Sequence, residues 1–147
     1  MKILKPFSPT LKIRRSTNKM RHFFYSVFFL LLLTACSPSG TGVYPSQPWE
    51  GLTIHVETRP APLDKGVNEF LVYATMNARQ PGSNLVVSIK ERGTDKWHQS
   101  IQDGNVGVYR RAIAISNPET GVLQVRLKRD RDVGLLEFAF NDYATID

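Results

Sequence analysis

Four side chains in this sequence have chemistry beyond folding: the single cysteine, Cys36, and the soft donors His55, Met76 and His98. Thioether and imidazole groups suit Cu(I), so the last three are the candidates for a metal site. They stand one to a segment, without the Met-x-Met or His-x-Met spacing that clusters soft ligands. As a ligand set they are weak, and no cofactor is expected. His98 also has Asp95 and Ser100 nearby, residue types that could form a proton relay. Neighbours along a strand alternate faces, however, and do not line up a base with a nucleophile. The sequence contains no HExxH, no glycine-rich phosphate loop and no paired-carboxylate motif. The expectation is a protein that is not an enzyme.

Cys36 has the more informative surroundings. It ends the run "FFYSVFFLLLLTAC", in which Phe23 to Ala35 form an apolar block of 13 residues. A bilayer-spanning helix needs roughly 20 residues, whereas a signal-peptide core needs about 7 to 15. Ahead of the block lies the basic stretch "KMRHFF", and Leu33, Thr34 and Ala35 precede the cysteine. This segment resembles the lipobox of bacterial lipoproteins. The resemblance implies cleavage of residues 1–35, a signal helix, and acylation of Cys36 with palmitate-type chains as the new N-terminus. Met20 opens a signal of normal proportions by itself and is a candidate true start. Arg14 and Arg15 lack the apolar residues that follow a twin-arginine signal. Ser37 stands where an aspartate is absent, which favours the outer membrane over the inner one in enteric-type bacteria. The chain is thus expected to be membrane-anchored and periplasm-facing.

Cleavage also changes the charge. Seven of the 19 Lys and Arg residues and none of the 13 Asp and Glu residues precede Cys36, leaving 12 basic against 13 acidic. The formal +6 of the whole chain belongs to the segment removed. Nucleic acid is therefore not an expected partner. One cysteine allows no internal disulfide.

Beyond Cys36, residues 36–48 carry the Ser, Pro and Gly of "SPSGTGVYPSQP" and read as a flexible lipidated tether. Residues 49–147 are enough for one small domain. Its pattern has a period of two, the signature of half-buried strands. Leu52, Ile54 and Val56 alternate with polar residues, and "RPAPLDKG" then breaks the chain. Phe70, Val72, Ala74 and Met76 share a face, which favours a core place for Met76. Leu85, Val87 and Ile89 follow; "KWHQSIQ" is a weaker strand carrying Trp97, Gln99 and Ile101, with Trp97 expected in the core. Tyr109, Arg111, Ile113 and Ile115 point inward in the next strand, then Leu123, Val125 and Leu127, then Leu136, Phe138 and Phe140. Seven short one-faced strands predict an all-β fold, a small seven-stranded antiparallel immunoglobulin-like β-sandwich. Trp49 is expected to cover the edge where the tether enters, and Tyr109 to be a core or corner tyrosine.

At "PLDKGVNEFLV" and "GVYRRAIAISNPETGVLQVRL" the chain resembles the YtkA-like and FixH-like periplasmic domains. Gly66, Asn68, Phe70 and Val72 match the first element, and Gly107, Tyr109, Gly121 and Val125 the second. Leu123 departs from a tryptophan frequent in that family. The resemblance spans roughly Leu52 to Phe140 and implies an immunoglobulin-like sandwich doing accessory work in the cell envelope, in some members near oxidase assembly or copper handling. The expected function is a lipid-anchored envelope binding or assembly module with a protein partner, and the alternative is a copper-handling accessory protein.

Arg110, Arg126 and Lys128 form the candidate surface for an anionic partner. If strands 108–115 and 122–128 pair as a hairpin with Ile115 opposite Leu123, Arg110 faces Lys128. Like charges directly opposite are unfavourable and would mark a binding face. An immunoglobulin-type corner instead sends the two strands to different sheets and separates the charges.

Overall fold

The computed structural model describes residues 40–77 and 80–146. The expected signal segment, 1–35, and Cys36 lie outside the described residues. Eleven strands follow in chain order: β1 (Gly40–Val43), β2 (Gln47–Trp49), β3 (Leu52–Ala61), β4 (Gly66–Thr75), β5 (Val86–Glu91), β6 (His98–Gln99), β7 (Ile101–Gln102), β8 (Val108–Ile115), β9 (Val122–Arg129), β10 (Asp132–Ala139) and β11 (Ala144–Ile146). They make two antiparallel sheets. The first runs β11-β1-β3-β4-β8-β7, with β2 also on β3; the second runs β10-β9-β5-β6.

Within these, β3-β4-β8-β7 and β10-β9-β5 reproduce the immunoglobulin strand order. The alternation explains why. Ile54, Val56, Phe70, Val72, Ile113 and Ile115 of the first sheet and Val87, Ile89, Leu123, Val125, Leu127 and Phe138 of the second are all buried. Each sheet has one apolar face, and the two cover one another. Phe70 stacks on Phe140 across this core with ring centroids 6.0 Å apart. Tyr109 is buried and donates its hydroxyl to the Gly82 carbonyl at 3.2 Å.

Four features differ from the sequence reading. The domain starts before Trp49, because β1 and β2 lie in the segment expected to be a tether and Tyr44 is buried in the core. The glycines there serve close approach and not mobility. A Cβ on Gly42 would come within 2.8 Å of the Tyr143 ring and 2.9 Å of Thr58, and one on Gly40 within 2.9 Å of Thr145. Next, β3 does not stop before "RPA". The β1–β3 register shifts between Gly40 and Gly42, which leaves Pro60 in a bulge where its missing N–H breaks no ladder bond.

The "KWHQSIQ" stretch is also different: it is two strands in two sheets. The chain crosses at buried Ser100, whose N–H bonds the Val87 carbonyl at 2.8 Å. Trp97 and Ile101 face outward while Ser100 and Gln102 face inward, so the alternation is present with its sides reversed. Inward polar residues suit an open sheet edge, where apolar ones would invite pairing with another chain. Lastly, Met76 is exposed, because β4 ends at Thr75 before the core-facing pattern reaches it.

Trp49 covers the β10 edge of the second sheet and not the point where the chain enters, since β1 precedes it, and Gly134 of β10 makes room for it: a Cβ there would meet the Trp49 indole nitrogen at 2.0 Å. Another anchor fixes the passage from β8 to β9. The buried carboxylate of Glu91 accepts the N–H groups of Ser116 at 2.8 Å and Asn117 at 3.0 Å, at the point where the chain leaves one sheet for the other. Glu91→Ala should destabilise the domain by about 2–3 kcal/mol, since hydrogen bonds to a charged group contribute about 1.5–3 kcal/mol. Thermal unfolding of the two proteins checks this, and a change in Tm of under about 2 °C would refute the assigned role.

Candidate interaction face

The structure separates the residues that the sequence proposed as metal ligands. His55 lies on the outer face of the first sheet, its ring stacked on Tyr73 at 4.4 Å and its Nε2 3.9 Å from Glu57. Met76 lies past the end of β4, and His98 belongs to β6 in the second sheet. Stacked sheets are about 10 Å apart, so the outer face of one cannot share a coordination sphere with a residue of the other. Among the described residues no group of three His, Cys, Asp or Glu side chains converges.

The proposed cationic surface divides in the same way. Because β8 joins the first sheet and β9 the second, Arg110 does not face Lys128. The corner arrangement holds, and the hairpin pairing of Ile115 with Leu123 does not. Each cation then has a different electrostatic setting.

On the first sheet, β4 pairs with β3 and β8 so that acidic and basic residues meet. Arg110 reaches Glu69 at 3.3 Å and Asp103 at 3.5 Å, and Arg59 reaches Glu57 at 3.7 Å. Tyr73 donates to the Glu57 carboxylate at 3.0 Å. Burial, with this bond second, raises the Tyr73 hydroxyl above its ordinary range. This outer face neutralises itself.

The outer face of the second sheet does not. Its register sets side chains in rungs across three strands. Val86, Lys128 and Val133 form one rung, Ser88, Arg126 and Leu135 the next, and Lys90, Gln124 and Glu137 a third. Glu137 is already engaged: Arg92 and Gln124 both donate to it. These bonds hold its carboxyl below the usual range, Gln124 contributing most. Arg126 and Lys128 have no carboxylate partner within ion-pair distance among the described residues.

Trp97 completes the face. Its ring lies 4.5 Å under the Arg126 guanidinium and 5.0 Å from the Lys90 ammonium. Such cation–π contacts are worth about 0.5–1 kcal/mol at exposed sites and restrict the long Arg side chain. Arg126 and Lys128 were visible in the sequence as outward residues of one strand. Val86, Val133, Leu135 and Trp97 were not associated with them, because only the register across β5, β9 and β10, and the pairing of β6 with β5 just after Trp97, brings them together.

The described surface also has concavities. One of about 780 Å³ beside Tyr44, Glu57 and Ile146 and one of about 510 Å³ beside Leu63, Glu119 and Phe140 are both open to solvent. Neither contains a histidine, and neither gathers the convergent polar groups of a small-molecule site. Compared with protein families, curated proteins and solved structures, the chain gives no match.

The setting of His55 has a pH consequence. Burial against Tyr73 lowers its pKa from about 6.5, with Glu57 opposing more weakly. The unfolded chain therefore binds this proton more readily than the folded one. The contribution is fully present above the unfolded value and is lost as pH falls through that value toward the folded one. The wild type should lose more stability than His55→Gln between about pH 7.5 and 5.5. Equal losses in paired thermal melts would contradict this.

Proposed function

We propose that this chain is a lipid-anchored, periplasm-facing module of the cell envelope that works by binding or assembly and not by catalysis. One observation carries the reading: a lipobox-like segment ending at Cys36 precedes a rigid sandwich whose second sheet leaves a mixed apolar and cationic face uncovered. Acylation at Cys36 would tie the domain to the membrane with more than one chain, which gives stable attachment where a single chain gives only marginal binding. The outer membrane is the favoured site, from Ser37.

Gly40, which opens β1, stands only four residues after Cys36. A tether this short reaches at most about 13–14 Å when extended, at about 3.3–3.6 Å per residue. The sandwich would be held close to the lipid surface, so its partner is one that comes to the membrane. The resemblance to YtkA-like and FixH-like domains supports the same class of envelope accessory work. The copper alternative draws no support from the placement of His55, Met76 and His98 on separate parts of the fold.

Expression of the full chain with Cys36→Ser tests the reading. The wild type should appear in the membrane fraction with the mass of a cleaved, acylated product, and the variant should lose both the acyl mass and membrane retention. Unchanged processing and attachment would overturn the proposal.

A further inference from the structure

The uncovered face of the second sheet has enough character to specify its occupant. Val86, Val133 and Leu135 are 46%, 63% and 53% exposed, although they lie in regular strands of a small domain. They are not scattered: Val86 and Val133 flank Lys128 in one rung, and Leu135 flanks Arg126 in the next. Adjacent strands are about 4.8 Å apart, so each aliphatic group stands directly across from a cation on the same face. Exposed apolar groups on neighbouring strands up to the sheet edge are a liability for a chain that has no partner.

The charges give the direction. The first sheet pairs its outward cations with Glu57, Glu69 and Asp103, whereas Arg126 and Lys128 lie two residues apart on one face with no such partner among the described residues. The one carboxylate in the adjoining rung, Glu137, is held by Arg92 and Gln124. Trp97 holds Arg126 over the face of its ring and leaves the guanidinium fork at the surface.

Resting on the reading of the chain as a binding module, we propose that this face docks a segment of a partner protein that carries alternating acidic and apolar side chains. Carboxylates of that segment meet Arg126 and Lys128, and its apolar residues meet Val86, Val133 and Leu135. A strand or helix face can match these rungs one by one, because cation and aliphatic groups alternate across the sheet every few ångströms. An anionic membrane fits less well. Cations at a lipid interface sit at the margin of the inserted apolar patch, whereas Lys128 stands between two valines and would enter the hydrocarbon with them.

The test is site-specific photocrosslinking in cells that make the full chain. A photoreactive benzoylphenylalanine replaces Leu135 in one variant and Val67, an exposed residue of the first sheet, in another. The expected result is a discrete protein adduct at position 135, with a crosslinked peptide rich in Asp or Glu. Combining this variant with Arg126→Glu and Lys128→Glu should reduce the adduct at least tenfold, and unchanged thermal unfolding of that protein would show that the fold is intact.

Only lipid adducts at 135, or a protein adduct indifferent to the charge reversals, would overturn the proposal. A protein adduct at 67 and none at 135 would remove this face while leaving the module reading in place. Adducts at neither position would remove both.

Discussion

Every long strand of this chain turns one alternating set of apolar side chains inward, and the structure depends on laying one such inner face over another. Ile54, Val56, Phe70 and Val72 from one sheet and Val87, Ile89, Leu123 and Val125 from the other are removed from water together. At about 25 cal/mol per Å² of apolar surface, this shared core is the dominant favourable contribution. Neither sheet could hold its faces dry alone. The chain must therefore cross between layers, and the crossings are where polar residues become structural. Ser100 bonds Val87 at one crossing, and Glu91 gathers the amides of Ser116 and Asn117 at another.

The margins of the sandwich follow from the same requirement. On one side, β1, β2 and β11 extend the first sheet, and Trp49 reaches across to fill the space left by Gly134 in β10. The Gln47 side chain donates to the Glu137 carbonyl at 2.7 Å and occupies one edge acceptor of the second sheet. On the other side, β6 and β7 are two residues each, and Ser100, Gln102 and Arg111 point between the layers. Short strands with inward polar groups do not make a good template for another chain. Edge pairing is thus discouraged at that margin, which leaves the flat outer faces as the larger surfaces available for contact.

Those two faces differ in electrostatics and not in backbone. On the first, strand order places Glu57, Glu69 and Asp103 beside Arg59 and Arg110, and the charges satisfy one another. On the second, β9 lies between β5 and β10, whose residues opposite Arg126 and Lys128 are serine, valines and leucine. Isolated surface ion pairs contribute little to stability, about 0–1 kcal/mol, so the contrast matters chiefly for recognition. A self-neutralised face offers an incoming charge no net attraction, and the cationic, partly aliphatic face does.

Period-two alternation alone determined the all-β class, six of the seven expected strands and nearly all of the core, because whether a side chain on a strand is in or out is set two residues at a time along the chain. The cleavable-signal reading of Cys36 is likewise local, resting on the order of basic, apolar and small residues. What alternation cannot contain is which strand lies beside which. That decided whether Arg110 faces Lys128 or Glu69, whether Met76 falls inside or beyond the core, and whether the glycines before Tyr44 loosen the chain or let it pack. It also turned "KWHQSIQ" over, since a chain crossing between sheets at Ser100 leaves Trp97 outside to hold Arg126. The candidate face was legible only as two basic residues of one strand. Its aliphatic members come from two other strands and Trp97 from the segment just before β6, and only pairing between strands distant in sequence could assemble them.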